Sequence, residues 1–200
     1  MNDLNNLKHH PALDEIVKVL CARTQNSDRS FFNVEVAYFL SKMASCMRVS
    51  ILTKDRGEIP VNAYVIDLGA SGLGKGHSVN IMEEEFLRGF KSNFLNHVMP
   101  EVAERNLTYI AGSRCIKNNT TQEEELTKAE HEYTGLGPYP FTFDSGTSPA
   151  VKQLRQKLLM AGSGAINFQC DEIGSNLIGN TEVLNTFLEL FDKGLIKIKL

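Results

Sequence analysis

Apolar residues return at every third or fourth position in two stretches near the start of the chain, the spacing of one buried helical face. Residues 11–23 ("PALDEIVKVLCAR") bring Leu13, Ile16, Val17 and Leu20 to one side, and Pro11 suits a first helical turn. Residues 30–47 ("SFFNVEVAYFLSKMASCM") repeat the pattern with Phe32, Val36, Phe39, Leu40 and Met43. The pattern then changes. "RVSILTKD" (48–55) reads as a strand entering a Lys-Asp-Arg-Gly turn, and "NAYVIDLG" (62–69) is β-branched and aromatic, as buried strands are. From about 75 to 98 a long amphipathic helix carries Ile81, Met82, Phe86, Phe90, Phe94 and Leu95.

Residues 117–140 ("KNNTTQEEELTKAEHEYTGLGPYP") are polar and acidic. Thr121 and Glu124 have the spacing of a capping box before a short charged helix, and Gly135, Gly137, Pro138 and Pro140 force a turn after it. This stretch reads as a solvated insertion on the surface, or as a flap near a ligand.

Beyond it, strand and helix signals alternate. "FTFDSGT" is a short strand ending at Asp144, and Ser148-Pro149 serve as N-cap and first turn for "AVKQLRQKLLMA". "GSG" ends that helix, "AINFQCDEIGSNL" gives another strand, "NTEVLNTFLELFDKG" another helix, and "LIKIKL" a closing strand. Such alternation predicts an α/β fold: a parallel sheet flanked by helices. A small N-terminal helical segment (1–47) precedes a main domain over 48–200, whose core the last strand leaves incomplete.

Composition narrows the function classes. With 200 residues and a formal net charge of −3, the chain has no global field that would attract nucleic acid. No apolar run reaches the roughly 18 residues of a membrane span, and "MNDLNNLKHHP" lacks the apolar core of a secretory signal. The expected location is the cytoplasm. The four cysteines, Cys21, Cys46, Cys115 and Cys170, are too scattered for a metal or disulfide framework. The histidines are dispersed as well.

The candidate chemistry lies in "VIDLGASGLGKGHS", residues 65–78. Gly69, Gly74 and Lys75 match the GxxxxGK spacing of a phosphate-binding loop placed between a strand and a helix. Glycines let successive backbone amides turn inward around an anion, and the helix start faces the phosphates. Gly69, Ser71, Gly72, Leu73, Gly74, Lys75, Gly76 and His77 are therefore the expected ATP-binding residues, with Lys75 reaching the β- and γ-phosphates. A second feature fits this reading. "AINFQCDE" ends a hydrophobic run in Asp171 and Glu172, the form of a Walker B element. Asp171 would hold Mg2+ and Glu172 would polarise the attacking water as general base.

The stretch from about 60 to 200 resembles the helicase-like P-loop ATPases of bacteriophages and mobile elements, often found beside primase domains. The resemblance rests on "GASGLGKG", "FDSGTSPAVKQLRQKLL", "CDEIGSNL" and "FLELFDKG". It implies a RecA-like core that couples ATP hydrolysis to DNA replication or remodelling, with DNA as partner. One position departs from the pattern. Members carry Ser or Thr after the Lys, and here Gly76 offers no hydroxyl to magnesium. Ser78 lies about 200° further round a helix of 3.6 residues per turn, so it points elsewhere. His77 supplies one more amide, with its ring near the nucleotide mouth.

Two other classes stay open. A nucleotide kinase is of this size, although the absence of arginine between 115 and 154 argues against a phosphate-covering lid. A packaging-type ATPase or a nucleotide-responsive binding module would use the same Walker pair. No arginine follows Arg155. The expectation is therefore either the N-terminal part of a longer protein or a homo-oligomer that completes its site, with slow turnover alone.

Overall fold

A computed structural model describes residues 8–66, 72, 74–170 and 185. The chain forms two compact units, Met1–Met43 with Ala63–Gly89, and Ala44–Asn62 with Phe90–Leu200.

In the first unit, helix α1 spans Pro11–Thr24. His10 caps it, its Nδ1 accepting from Ala12 N–H at 3.2 Å, and Gln25 closes it in the left-handed region at φ 56°. Helix α2 spans Arg29–Cys46. Asp28 precedes it and accepts from the N–H groups of Ser30 and Phe31 at 3.1 and 3.2 Å, satisfying two donors of the first turn. Most of the apolar faces foreseen from spacing go inside: Val17, Leu20, Phe32, Val36 and Phe39 are almost wholly buried, Leu13, Ile16 and Met43 are half-buried, and Leu40 is exposed. Helix α3, Lys75–Ile81, leads into a π-turn over Met82–Phe86, from which two alternate acids reach different neighbours. Glu83 pairs with the buried Lys42 of α2, and Glu85 with Arg23 of α1. Helix α4 follows at Arg88–Asn93.

The second unit holds strands β1, Ser50–Thr53, and β2, Gly57–Pro60, an antiparallel hairpin with Ile51 opposite Ile59. Gly57 turns the chain at φ 71°. A π-turn over Phe94–Val98 precedes helix α5, Met99–Asn118. Helix α6, Gln122–Gly135, and helix α7, Ser148–Ala161, both pack against α5. Their shared core is Leu107, Ala129 and Met160, with Ile110, Leu126, Tyr133 and Leu136 around it. A buried polar network ties the segment after α7 in place. Asn167 Nδ2 donates to Phe141 O at 2.8 Å and to Cys46 Sγ at 3.3 Å, while Tyr139 O–H donates to Ala165 O at 2.7 Å.

The predicted α/β parallel sheet is not what forms. The described residues are mostly helical, with one two-stranded antiparallel sheet and no RecA-like core. The physical reason lies in which surfaces the helices cover. α5, α6 and α7 bury their apolar faces on one another, leaving no sheet for them to flank. Residues 62–66, expected as part of a buried strand, pair with nothing in a ladder, and Tyr64 and Ile66 are exposed at 52% and 67%. The β-branched signal there met no neighbouring strand among the described residues. Of the two strands expected in "FTFDSGT" and "AINFQCDE", one parallel bridge survives, Phe143 with Phe168, closed by Phe143 N–H to Asn167 O and Gln169 N–H to Phe143 O.

Two smaller expectations also change. The acidic stretch 117–140 is no solvated insertion, because α6 carries Ala129 fully buried into the core. The helix begun near 75 does not stop near 98; helical segments continue to Asn118. The expected helix and strand beyond the acid pair lie outside the described residues, apart from Asn185.

Candidate functional site

Five of the expected loop residues are described: Gly72, Gly74, Lys75, Gly76 and His77. Gly69, Ser71, Leu73, Asp171 and Glu172 lie outside the described residues. Gly72 and Gly74 sit at φ 87° and 80°, backbone that a side chain with a Cβ adopts only under strain. Gly74 is the N-cap of α3, and no side chain caps the helix there. The helical ladder starts with Ser78 N–H on Gly74 O at 2.9 Å, so the amides of Gly76 and His77 lie in the turn ahead of it. Lys75 opens the helix, half-buried, while Gly76 and His77 are exposed.

The loop's last glycine fits closely against α1. A Cβ on Gly74 would stand 3.1 Å from Thr24 Cβ. Thr24 is itself fixed by its hydroxyl, which donates to Leu20 O at 2.7 Å. Gly74 thus meets two demands at once, a left-handed backbone and a close approach. Gly76 meets neither, since nothing lies within 4 Å of a Cβ built there.

Beside Thr24, Arg23 reaches Glu85 through a two-pronged fork, Nη1 to Oε2 at 2.6 Å and Nη2 to Oε1 at 2.9 Å. The fork holds the Glu85 carboxyl below the usual carboxylate range, and His77 adds a smaller electrostatic pull in the same direction. The same contact raises Arg23 above its ordinary value. Neither Arg23 nor Glu85 stands out in the sequence. They are 62 positions apart and belong to no motif, so spacing alone offered no signal.

Magnesium finds no hydroxyl in the first turn of α3. Gly76 has none, and the buried Ser78 donates its hydroxyl to Lys75 O at 2.9 Å. Among the described residues no three His, Cys, Asp or Glu side chains gather to hold a metal. Two open depressions lie elsewhere. One of about 430 Å³ is lined by Lys18, Cys21, Gln25 and Arg29, and one of about 550 Å³ by Thr127, Lys128, His131 and Glu132. Among the described residues no helix is long and apolar enough to cross a membrane. No family model matches the chain, and neither a curated protein nor a solved structure matches it.

Proposed function

We propose that this chain binds ATP with Mg2+ through the glycine loop ending in Lys75, and hydrolyses it slowly. The supporting observation is the backbone at Gly72 and Gly74, both left-handed, with Lys75 as the first residue of a helix that no side chain caps. Amides at such a helix start attract anions, and an adjoining ammonium adds charge. In this reading Gly69, Ser71, Gly72, Leu73, Gly74, Gly76 and His77 supply the cradle and Lys75 the charge. Asp171 holds the magnesium, and Glu172 acts as general base. The helicase-like role on DNA rests on the family resemblance of residues 60–200. It is proposed without the parallel-sheet core, which the fold excludes.

The test is calorimetric titration of ATP–Mg into the chain and into Lys75→Ala. Charge-assisted contacts contribute about 1.5–3 kcal/mol, so the variant should bind at least tenfold more weakly. Equal affinity would remove the loop from the site. Glu172→Gln should keep binding and lose turnover, and an undiminished rate would remove that residue from catalysis.

A further inference from the structure

We propose that the outer edge of β1 is a docking site for the chain's own residues 195–200, added as a third strand antiparallel to β1. The hydrogen bonds of the hairpin show which edge is open. Val61 N–H donates to Val49 O at 3.0 Å, and the register runs on through Ile51–Ile59 to Thr53–Gly57. Bonded pairs alternate along an antiparallel ladder, so Val49, Ile51 and Thr53 face β2, while Ser50 and Leu52 turn their N–H and C=O groups outward. Those outward groups have no backbone partner among the described residues. The outer edge of β2 is blunted, since Pro60 has no N–H to offer and Glu58 is charged.

The side chains select the occupant. Successive residues of a strand point to opposite faces. One face of the hairpin therefore carries Val49, Ile51, Ile59 and Val61, and the other carries Ser50, Leu52 and Glu58. Both faces are open among the described residues, with Ile51 58% and Leu52 83% exposed. A two-stranded hairpin is at best marginal in water without a further strand or a packed face. Residues 195–200 belong to the same compact unit and lie outside the described residues. Paired with β1, they would set Ile196, Ile198 and Leu200 on the apolar face, and Lys197 and Lys199 on the face that bears Glu58. Charge also fixes the direction. With Lys197 opposite Leu52, the antiparallel order puts Leu195 beside Lys54 and Lys199 beside Ser50, with Glu58 just across Leu52. The parallel order would set Lys199 beside Lys54, a like-charge pair.

Amide hydrogen exchange tests this directly, because the N–H groups of Ser50 and Leu52 have no acceptor within the hairpin. In the full chain both should exchange slowly, at a rate independent of protein concentration. Deleting residues 195–200 should speed both about tenfold, as expected for the loss of a hydrogen bond at each, while Leu107 in α5 stays protected. A synthetic peptide of residues 194–200 should restore the protection in the shortened chain. Ile198→Asp in the full chain should act like the deletion, so the result does not depend on the shortened chain folding. Fast exchange at Ser50 and Leu52 in the full chain overturns the proposal, and so does slow exchange that survives both changes. Protection that rises with concentration, with a dimer mass in light scattering, would assign the edge to a second copy and overturn it as well.

Discussion

Asn106 of α5 closes the end of α7: its Nδ2 donates to Leu159 O at 3.1 Å and to Met160 O at 2.9 Å. These are carbonyls that the last turn of a helix cannot satisfy by itself. Gly162 ends α7 at φ 69°, and a Cβ there would stand 3.0 Å from Asn106 Cγ. The cap and the glycine therefore occupy the same space. Asn106→Ala should cost about 1–2 kcal/mol in urea unfolding. Gly162→Ala should cost about 1–3 kcal/mol from backbone strain, with the clash adding to it. In the double variant the Asn106 Cγ and Nδ2 contacts are gone and only its Cβ, 3.1 Å away, still crowds the added methyl, so the losses should sum to less than their parts. Strict additivity would show that the two positions do not share a contact.

The Lys42–Glu83 pair is buried, with 1% and 12% of the side chains exposed. Removing one partner strands a charge in an apolar setting, so Lys42→Met alone should destabilise by about 3–5 kcal/mol. Lys42→Met with Glu83→Leu should recover most of that, because two apolar groups of similar size leave no charge behind. A double variant as unstable as the single one would assign the loss to packing.

Stability should respond to pH at both ends, for separable reasons. Glu85 is held below its ordinary value of 4.5 by Arg23. Its contribution is complete above that value and disappears as pH falls through the depressed one. Glu85→Gln should accordingly differ from the unaltered chain at neutral pH and converge with it in acid. Burial raises the Tyr139 phenol above its ordinary 10.0, so the folded chain keeps a proton that the unfolded chain gives up. Stability should fall as pH rises past that value, and Tyr139→Phe should show a shallower fall between about pH 9 and 11. Identical alkaline slopes would place Tyr139 in contact with water.

Gly76 has open space around it in the first turn of α3, so a serine fits without displacing anything. Gly76→Ser should raise thermal stability modestly, by about 0.5 kcal/mol from helix propensity. If the proposed site is right, it should also tighten magnesium in the ATP complex several-fold by adding a hydroxyl. Magnesium dependence identical to that of the unaltered chain would show that the hydroxyl has no access to the ion.

What the sequence made legible was local. α1 and α2 fall within a residue of their expected bounds, because their 3–4 spacing matches the face they bury. Thr121 caps α6 as its spacing with Glu124 implied, with Glu124 N–H on Thr121 Oγ1 at 3.3 Å. The cap of α7 is Thr147, one residue before the expected Ser148. What the sequence hid was partnership. "NAYVI" has the composition of a strand, and composition cannot say whether another strand lies beside it. The helix expected over about 75–98 runs on past that point: Met99 N–H bonds Phe94 O, five residues back, and the helix restarts with Pro100 in its first turn, where its missing N–H costs nothing. The glycine loop was visible because its backbone demand is written in residue type. The Arg23–Glu85 fork beside it was invisible, because only folding brings the two together.

The π-turn at Phe94–Val98 amounts to one extra residue threaded into the helical path. At 3.6 residues per turn, one residue is a rotation of about 100°. The turn acts as a phase shifter. It lets Phe94 meet the rings of Phe141 and Tyr139 at 6.3 and 6.4 Å while Leu107, further along, still faces Ala129 and Met160. Losing one residue here would make the backbone more regular and the protein less sound, since Leu107 and its neighbours would swing out of the α6–α7 seam. Single-residue deletions are commonly absorbed in loops and rejected in helices for want of hydrogen bonds. In this stretch the hydrogen bonds would survive the edit, and the rotation would be what selection sees.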